Sequence, residues 1–552
     1  MTKLALESRD IAIKKLQQET FDILIIGGGI TGVGAAQDAA SRGLKVALIE
    51  RGDYAIGTSS RSSKLIHGGL RYLAQGNIKV TYESCAERAL LQELAPHLVK
   101  PMSFLVPIYR WGHGLTIFAG LWAYDIVSLV KNSMFHKRVS AKKACEMVPM
   151  LKREGLHLGY VYHDCQTNDA RLVMEVTKSA AEHNAIVCNY LEAQDLIKEK
   201  GFVVGAKAKD LINNQEFSIR AKQVINATGV WLDKMCQADE PQTGSKIRPA
   251  KGVHITIARS RIPSEQALLF ESAYNDGRSL FFIPWYEGII IGTTDTDFKG
   301  DIDSPIASAE DIKYIVESTN KIFPNAKLTN KDVLSSYAGL RPLIDEGSKS
   351  TKDISREHRI FESDSGLISI AGGKLTTYRL MANQLMDVVL KSMKARNLIQ
   401  EIKPTVTDKL FLSGFAGNKM ALELMQTKTD SKSKAVGLDS TISDHLVEDY
   451  GTNAQEILDI VAQQPDLSAR LTPELPFIQA EVVYCVRAEQ ATHLDDFLVR
   501  RTRIAFLTAD QGVSVALSVA KLMSQELNWS QDKIQTELKR YQETFAPHYK
   551  IS

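Results

Sequence analysis

The chain has 552 residues, too many for one hydrophobic core and enough for two or three domains. Hydrophobic residues make up 44% and charged residues 24%, a globular composition that excludes wholesale disorder. Lys and Arg number 67 against 65 Asp and Glu, and the formal net charge of +2 gives no global electrostatic case for nucleic acid.

Residues 1–20 mix Lys, Arg, Glu and Asp with no apolar run, so neither a secretory signal nor a transit peptide is expected. Residues 21–26 are then an apolar stretch of strand length that stops at Gly27-Gly28-Gly29. Gly27, Gly29 and Gly32 have the spacing G-x-G-x-x-G. The first permits the turn, the second lets backbone approach a pyrophosphate, and the third lets a helix pack close to the strand. That helix would open at Ile30 and Thr31 with unpaired N–H groups facing the phosphates. A second apolar strand, 45–49, ends in Glu50, placed to accept both ribose hydroxyls of an adenosine and to repel a 2′-phosphate. This is a dinucleotide site, and the residues alone leave NAD and FAD open.

The stretch 57–72, GTSSRSSKLIHGGLRY, is too dense in hydroxyls, glycines and cations for a core element, and suits a loop presenting donors to an anionic ligand. Residues 115–130 are apolar but contain Asp125 and fall short of the roughly twenty residues that span a bilayer. They read as a buried helix or as a helix lying on a membrane surface, the latter favoured by Lys131, Lys137, Arg138, Lys142 and Lys143. Two further glycine turns follow strands: Ala227-Thr228-Gly229 after 221–226, and Gly372-Gly373 before a helix beginning near Thr376. Three such turns call for one long ligand.

Between them, 278–297 predicts an antiparallel hairpin turning at Tyr286-Glu287-Gly288. The run 293–297, TTDTD, lacks the glycine and terminal glutamate of a calcium loop and reads as a turn or domain contact, so no metal site is predicted. The six cysteines, Cys85, Cys145, Cys165, Cys188, Cys236 and Cys485, lack C-x-x-C spacing and read as reduced thiols in a cytosolic setting. Residues 301–330 are polar with helical periodicity. Beyond a linker at 397–411, helical spacing recurs in 444–461, 479–485, 513–527 and 532–545. There Arg487, Arg500, Arg501 and Arg503 form either a basic face toward lipid or a second copy of the chain, as in a homodimer, or internal salt bridges with Glu489, Asp495 and Asp496.

The blocks GGGITG, TSSRSSKLIHGGLRYL, HDCQTNDARLV, NATGVW, KGVHI, IPWYEGIIIGTTDTDF, YAGLRPL and AGGKLTTYR, in this order, resemble the FAD-dependent glycerol-3-phosphate dehydrogenases of the aerobic bacterial and mitochondrial type. These lie within the glycine and D-amino-acid oxidase-like flavoproteins. RAEQATHLDDFLVRRTRIAF at 487–506 is similar to the family's helical C-terminal domain. The resemblance implies an α/β Rossmann-like FAD-binding domain built from 20–75, 155–253 and 355–396. It adds an α+β antiparallel-sheet substrate domain from 76–154 and 254–354, and an all-α C-terminal domain from 412–552. It implies FAD contacts at Gly27, Gly29, Ile30, Thr31, Gly32 and Glu50, and along the loop at Thr58, Ser59, Ser60, Ser63, Lys64, Leu65, His67, Gly68 and Gly69. Ala227, Thr228, Gly229, Gly373, Lys374, Leu375 and Thr376 would complete the cofactor site.

For the substrate, glycerol 3-phosphate, a phosphate needs cations of fixed geometry, and the candidates are Arg71, Arg341 and Arg356, with Tyr72 lining the cavity. His254 is the implied base, and Lys374 would place positive charge near flavin or substrate. The implied reaction is oxidation of sn-glycerol 3-phosphate to dihydroxyacetone phosphate, with a membrane quinone as acceptor and the protein peripheral on the inner face of the cytoplasmic membrane. No insertion like that of the oxygen-using oxidases appears between 256 and 345. The alternatives are such an oxidase releasing hydrogen peroxide, a related amine or 2-hydroxy-acid flavin oxidase, and a flavin-binding protein without turnover.

Overall fold

The strand Thr20–Ile26, apolar and buried over most of its length, lies in the middle of an eight-stranded sheet. A computed structural model of the chain describes residues 8–70, 73, 77–128, 135–345, 357–415, 417 and 419–550. Across the sheet, Ile368–Gly372, Gln215–Asn226, Thr20–Ile26, Val46–Ile49 and Ile186–Cys188 are successive parallel neighbours. His358–Glu362 adds an antiparallel edge, and Leu191–Glu199 with Phe202–Asp210 forms an antiparallel extension from Gln215–Asn226. The parallel strands read as continuous apolar runs because both faces are covered. The helices Ile30–Ser41, Asp169–Glu182 and Tyr378–Ala395 pack on one face. The antiparallel extension and the helix Arg9–Gln18 cover the other, burying Ala12, Ile13 and Leu16. Arg9 fixes that first helix by donating to Asp210 and to the carbonyls of Asn189 and Tyr190.

A second, ten-stranded sheet is mostly antiparallel. Its central hairpin, Ser279–Trp285 and Gly288–Gly292, turns at Tyr286 and Glu287 as the sequence predicts. The helix Ala309–Ile322, opened by a capping box between Ser308 and Asp311, packs against this sheet. Three stretches assigned by sequence to the cofactor domain hydrogen-bond here instead, among them Leu65–Ile66, which pairs with Leu158–Gln166. Leu158–Gln166 pairs with Lys100–Ile108, and the start of Ile247–Ala258 pairs with Val333–Ile344. Alternating apolar residues mark a strand but do not say which sheet it joins.

The C-terminal part is helical: Lys419–Ala435, Ser440–Tyr450, Ala454–Gln463, Gln479–Glu489, Val513–Leu527 and Gln531–Arg540. The single stretch read at 444–461 is two helices. Gly451 breaks it with φ of 58°, where a Cβ would lie 1.9 Å from the Gly414 carbonyl oxygen. The domain's core runs on into the second sheet through Trp285, Tyr337 and Phe506. It reaches the first sheet through charge. Arg171 on Asp169–Glu182 makes a bidentate pair with Glu489 (2.7 and 2.9 Å), donates to Glu175 and to the Asp449 carbonyl, and is fully buried. Removing one partner of such a pair strands a buried charge, so Arg171→Met should cost about 3–5 kcal/mol in urea unfolding. Arg487→Met, which breaks an exposed pair with Glu526, should cost under about 1 kcal/mol; equal losses would deny the buried pair its role.

Candidate active site

The carboxyl edge of the parallel sheet opens into a cavity of about 640 Å³ that extends under the second sheet. The first glycine turn forms its floor. Gly27 has φ of 115°, and a Cβ there would meet the Ala227 carbonyl at 2.5 Å, while a Cβ on Gly32 would sit 1.9 Å from the Gly27 oxygen. Gly32 therefore makes the close helix–strand contact and does not line the cavity, whereas Gly29, Ile30 and Thr31 do. The Ile30 N–H donates to Ser59 Oγ at 3.0 Å, tying the helix start to the loop that follows Glu50. Glu50 takes N–H donors from Gly28 (2.7 Å) and Gly52 (2.8 Å). Burial pushes its carboxyl up, against the pull of those two donors.

The hydroxyl-rich loop divides into residues that face the cavity and residues that hold the loop. Thr58, Ser59, Ser63, Leu65, His67 and Gly69 line it. Thr58 Oγ1 donates to the Leu340 carbonyl, and the His67 N–H donates to Thr376 Oγ1 at 3.1 Å, joining the first and third glycine segments. Lys64, read from the sequence as a cofactor contact, is instead buried. Its ammonium donates to Asp169 Oδ1 (2.5 Å) and to the Ser60 carbonyl (2.6 Å), so Lys64 and Ser60 brace the loop from behind. Gly68 also leaves the lining: its N–H donates to Asp164, and a Cβ would strike the Tyr124 hydroxyl and the Cys85 sulfur.

The other two turns meet the same cavity, Ala227, Thr228 and Gly229 from one strand end and Gly372, Gly373, Lys374, Leu375 and Thr376 from the next. Gly229, Gly372 and Gly373 have φ of 61°, 76° and 87°. Lys374 Nζ lies 3.3 Å from Ser84 Oγ. A cradle of glycines where side chains would collide with backbone, oriented N–H groups and a carboxylate at the second strand end suits the pyrophosphate and ribose of a dinucleotide.

The roof comes from the second sheet. His254, on Ile247–Ala258, is buried, stacks on Tyr337 (4.9 Å between centroids, 12°), and shares a hydrogen bond between Nε2 and Ser63 Oγ at 2.9 Å. Its Nδ1 has no hydrogen-bond partner among the described residues. Burial, then the positive charges of Arg341 and Lys64, hold its pKa well below the usual histidine value, so the ring is neutral. Arg341, on Val333–Ile344, rests on the run read at 293–297: it donates to Thr293 Oγ1 (3.2 Å) and the Thr294 carbonyl (3.4 Å), with Asp295 Oδ1 at 3.4 Å. Asp297 pairs with Arg248. Arg278 also lines the cavity and donates to the Asp295 carbonyl at 2.8 Å. Sequence reading missed it, because an arginine at the mouth of a hairpin carries no motif. Arg71, Tyr72 and Arg356 lie outside the described residues.

The basic face considered for the C-terminal domain does not form. Arg500, Arg501 and Arg503 are buried and paired with Asp53, Asp495, Asp496 and Asp449, and Arg487 pairs with Glu526. The helix expected at 115–130 is Trp111–Ser128. It buries Leu121, Tyr124 and Asp125 and exposes Trp111, Phe118, Trp122 and Ile126, so it is not a core helix. None of the described helices is long and apolar enough to cross a membrane.

Fold and cavity together are those of a flavoprotein oxidoreductase. Residues 22–379 match the family of FAD-dependent oxidoreductases, and residues 405–534 match the C-terminal domain of alpha-glycerophosphate oxidase. The aerobic glycerol-3-phosphate dehydrogenase of Bacillus subtilis is 38% identical over 527 residues, covering 95% of this chain and 94% of that protein. That of Staphylococcus haemolyticus is 37% identical over 529 residues, covering 95% and 94%. The crystal structure of the glycerol-3-phosphate dehydrogenase from Bacillus halodurans complexed with FAD superposes with a TM-score of 0.82 at 34% identity, covering 99% of this chain and 98% of that one. The chain belongs to the aerobic glycerol-3-phosphate dehydrogenase family of FAD-dependent enzymes.

The neutral state of His254 has a thermodynamic signature. The unfolded ring takes its proton near pH 6.5 and the folded ring only at lower pH, so stability falls as pH drops below 6.5. The unfolding free energy of the wild type should fall faster than that of His254→Gln between pH 6.5 and about 5, by up to about 1.4 kcal/mol per pH unit. Parallel curves would place a protonated ring in the folded protein.

Proposed function

We propose that this enzyme oxidises sn-glycerol 3-phosphate to dihydroxyacetone phosphate and passes the electrons to a membrane quinone. The observation that carries the reading is one cavity in which a glycine cradle for FAD faces a neutral buried imidazole and a guanidinium seated on a fixed turn. FAD, when bound, accepts the hydrogen that leaves C2 as hydride. His254 takes the hydroxyl proton, a step open to it because the folded ring is neutral. Arg341 holds the substrate's anionic oxygens in a geometry preset by Thr293, Thr294 and Asp295. Lys374, at the third glycine turn, adds positive charge beside the reacting centre, and the family resemblance implies substrate-binding roles for Arg71, Tyr72 and Arg356. Thr58, Ser59, Ser63, His67 and Gly69 contact the cofactor, as do the glycine turns.

The same reading places the protein at the inner face of the cytoplasmic membrane through Trp111–Ser128. Its exposed residues Trp111, Trp122 and Ile126 are 62%, 49% and 61% accessible, and Phe135 beyond the helix is 53% accessible. Lys137, Arg138, Lys142 and Lys143 are exposed nearby, which suits an anionic lipid surface. Trp111→Ser with Trp122→Ser should abolish co-flotation with anionic vesicles while leaving FAD in place; undiminished flotation would move the lipid contact elsewhere.

Glycerol 3-phosphate should bleach the bound flavin without oxygen, and a soluble quinone should restore the yellow colour faster than air does. Restoration by air with stoichiometric peroxide would favour the oxidase. His254→Ala should retain FAD and lose about 10²–10⁴-fold in turnover, and near-normal turnover would remove it from the mechanism.

A further inference from the structure

Glu50 does not hold its position alone. The loop after it is tied back to the glycine turn, with the Gly28 N–H donating to Glu50 and the Ala55 N–H donating to the Gly28 carbonyl at 3.1 Å. The Tyr54 ring fills the space beside Gly28, 3.0 Å from where a Cβ would stand. Between them Asp53 is fully buried, and its carboxylate is gripped by two arginines of the C-terminal domain. Arg501 pairs with it in bidentate fashion, Nη1 to Oδ2 at 2.6 Å and Nη2 to Oδ1 at 2.8 Å, and Arg500 Nε donates to Oδ2 at 2.6 Å. Tyr54 donates its hydroxyl to Gln490 Oε1 at 2.9 Å, and Asn189, at the adjoining strand end, donates to both Asp53 and the Gln490 carbonyl. Arg501 is held in turn by the Glu489 carbonyl, and Arg500 by Asp495 and Asp496.

The Asp53 carboxylate and the Tyr54 hydroxyl are thus satisfied by partners 436 or more residues away in sequence, with Asn189 of the adjoining strand end as the remaining donor to Asp53. Without the arginines, Asp53 would be an unpaired buried charge one turn from the Glu50 carboxylate, and the loop would have to open to hydrate it. We propose that Asp53, Arg500 and Arg501 form a positioning site through which the C-terminal helical domain fixes the ribose-binding loop, so that docking of this domain and occupancy by FAD stabilise each other. The inference rests on the flavin reading of the glycine cradle. It assigns the C-terminal domain an indirect part in cofactor retention, through the loop and with no residue of its own on the cofactor. By linkage, whatever docking adds to FAD affinity, FAD must return to docking.

Amide exchange and FAD titration on the full-length chain test this. Adding FAD to the apoprotein should slow exchange across residues 489–502 about tenfold in the wild type and not in Asp53→Asn. Asp53→Asn and Arg501→Gln should weaken FAD binding about tenfold or more, and Arg501→Lys, which keeps the charge but not the fork, should recover part of it. Arg503→Gln breaks another buried pair of the same domain, with Asp449, and should lower the melting temperature while leaving FAD affinity near the wild-type value. Wild-type FAD affinity in Asp53→Asn and Arg501→Gln would overturn the proposal, as would an equal loss in Arg503→Gln, which would mark a general loss of stability. Should Arg501→Gln fail to fold, unchanged affinity in both Asp53→Asn and Arg501→Lys overturns it alike. A wild-type chain that takes up no FAD would overturn the flavin reading itself, and this proposal with it.

Discussion

Three adjacent parallel strands end on one edge of a sheet, and each is followed by a glycine turn. Ile26 lies opposite Asn226, and Asn226 opposite Ser369, so the turns at Gly27, Ala227 and Gly372 are neighbours in space although more than 300 residues separate the outer two. Strands in a sheet lie about 4.8 Å apart, so backbone donors from all three fall along one extended ligand. The requirement is steric before it is electrostatic. At Gly27 and Gly32 the atoms a Cβ would meet are backbone atoms, which cannot swing aside. The second sheet then matters for what it lays over this edge, since His254 and Arg341 face the cradle from two paired strands, Ile247–Ala258 and Val333–Ile344.

The parts are joined by buried charge. Lys64 with Asp169 braces the loop, Arg171 with Glu489 joins a sheet-covering helix to the C-terminal domain, and Arg503 with Asp449 lies within that domain beside Tyr286. Burying such groups costs several kcal/mol each, and their attraction offsets this only when geometry is good. Apolar contacts of equal area would slide with little penalty. The bidentate Arg171–Glu489 pair cannot, so it fixes how the helix covering the first sheet and the helical domain meet.

What was legible in the sequence was local. The glycine spacing, the strand ends and the hairpin at Tyr286-Glu287 each follow from a few neighbouring residues, and each formed where read. The errors share one cause, a polar side chain whose partner is distant in the chain. Lys64 sits in a loop whose composition announces an anion, yet its anion is Asp169. Arg500 and Arg501 look like a basic face because Asp53 is nearly 450 residues earlier. Arg278 carries no motif, and its neighbour Asp295 belongs to a run that resembles a metal loop until Arg341 is seen resting on it. Placement of Leu158–Gln166 failed for the matching reason in strands, where the pattern gives two faces and no partner.

The helix Trp111–Ser128 shows how the same limit inverts a hydropathy reading. Summed along the chain the segment is apolar and invites burial, with Asp125 as an interruption. In the fold Asp125 is on the inside, accepting from the His136 backbone N–H and bonded to its Nδ1 at 2.6 Å. Tyr124 beside it donates to Asp164, which also takes Arg88. A polar network on the inner face leaves the large side chains at 111, 118, 122 and 126 nowhere to go but out, and their spacing of seven, four and four keeps them on one side of the helix. Large apolar side chains gathered on one exposed face suit contact with lipid or protein. The buried carboxylate therefore sets the orientation of the helix and, with it, the aromatic face on which the proposed lipid contact depends.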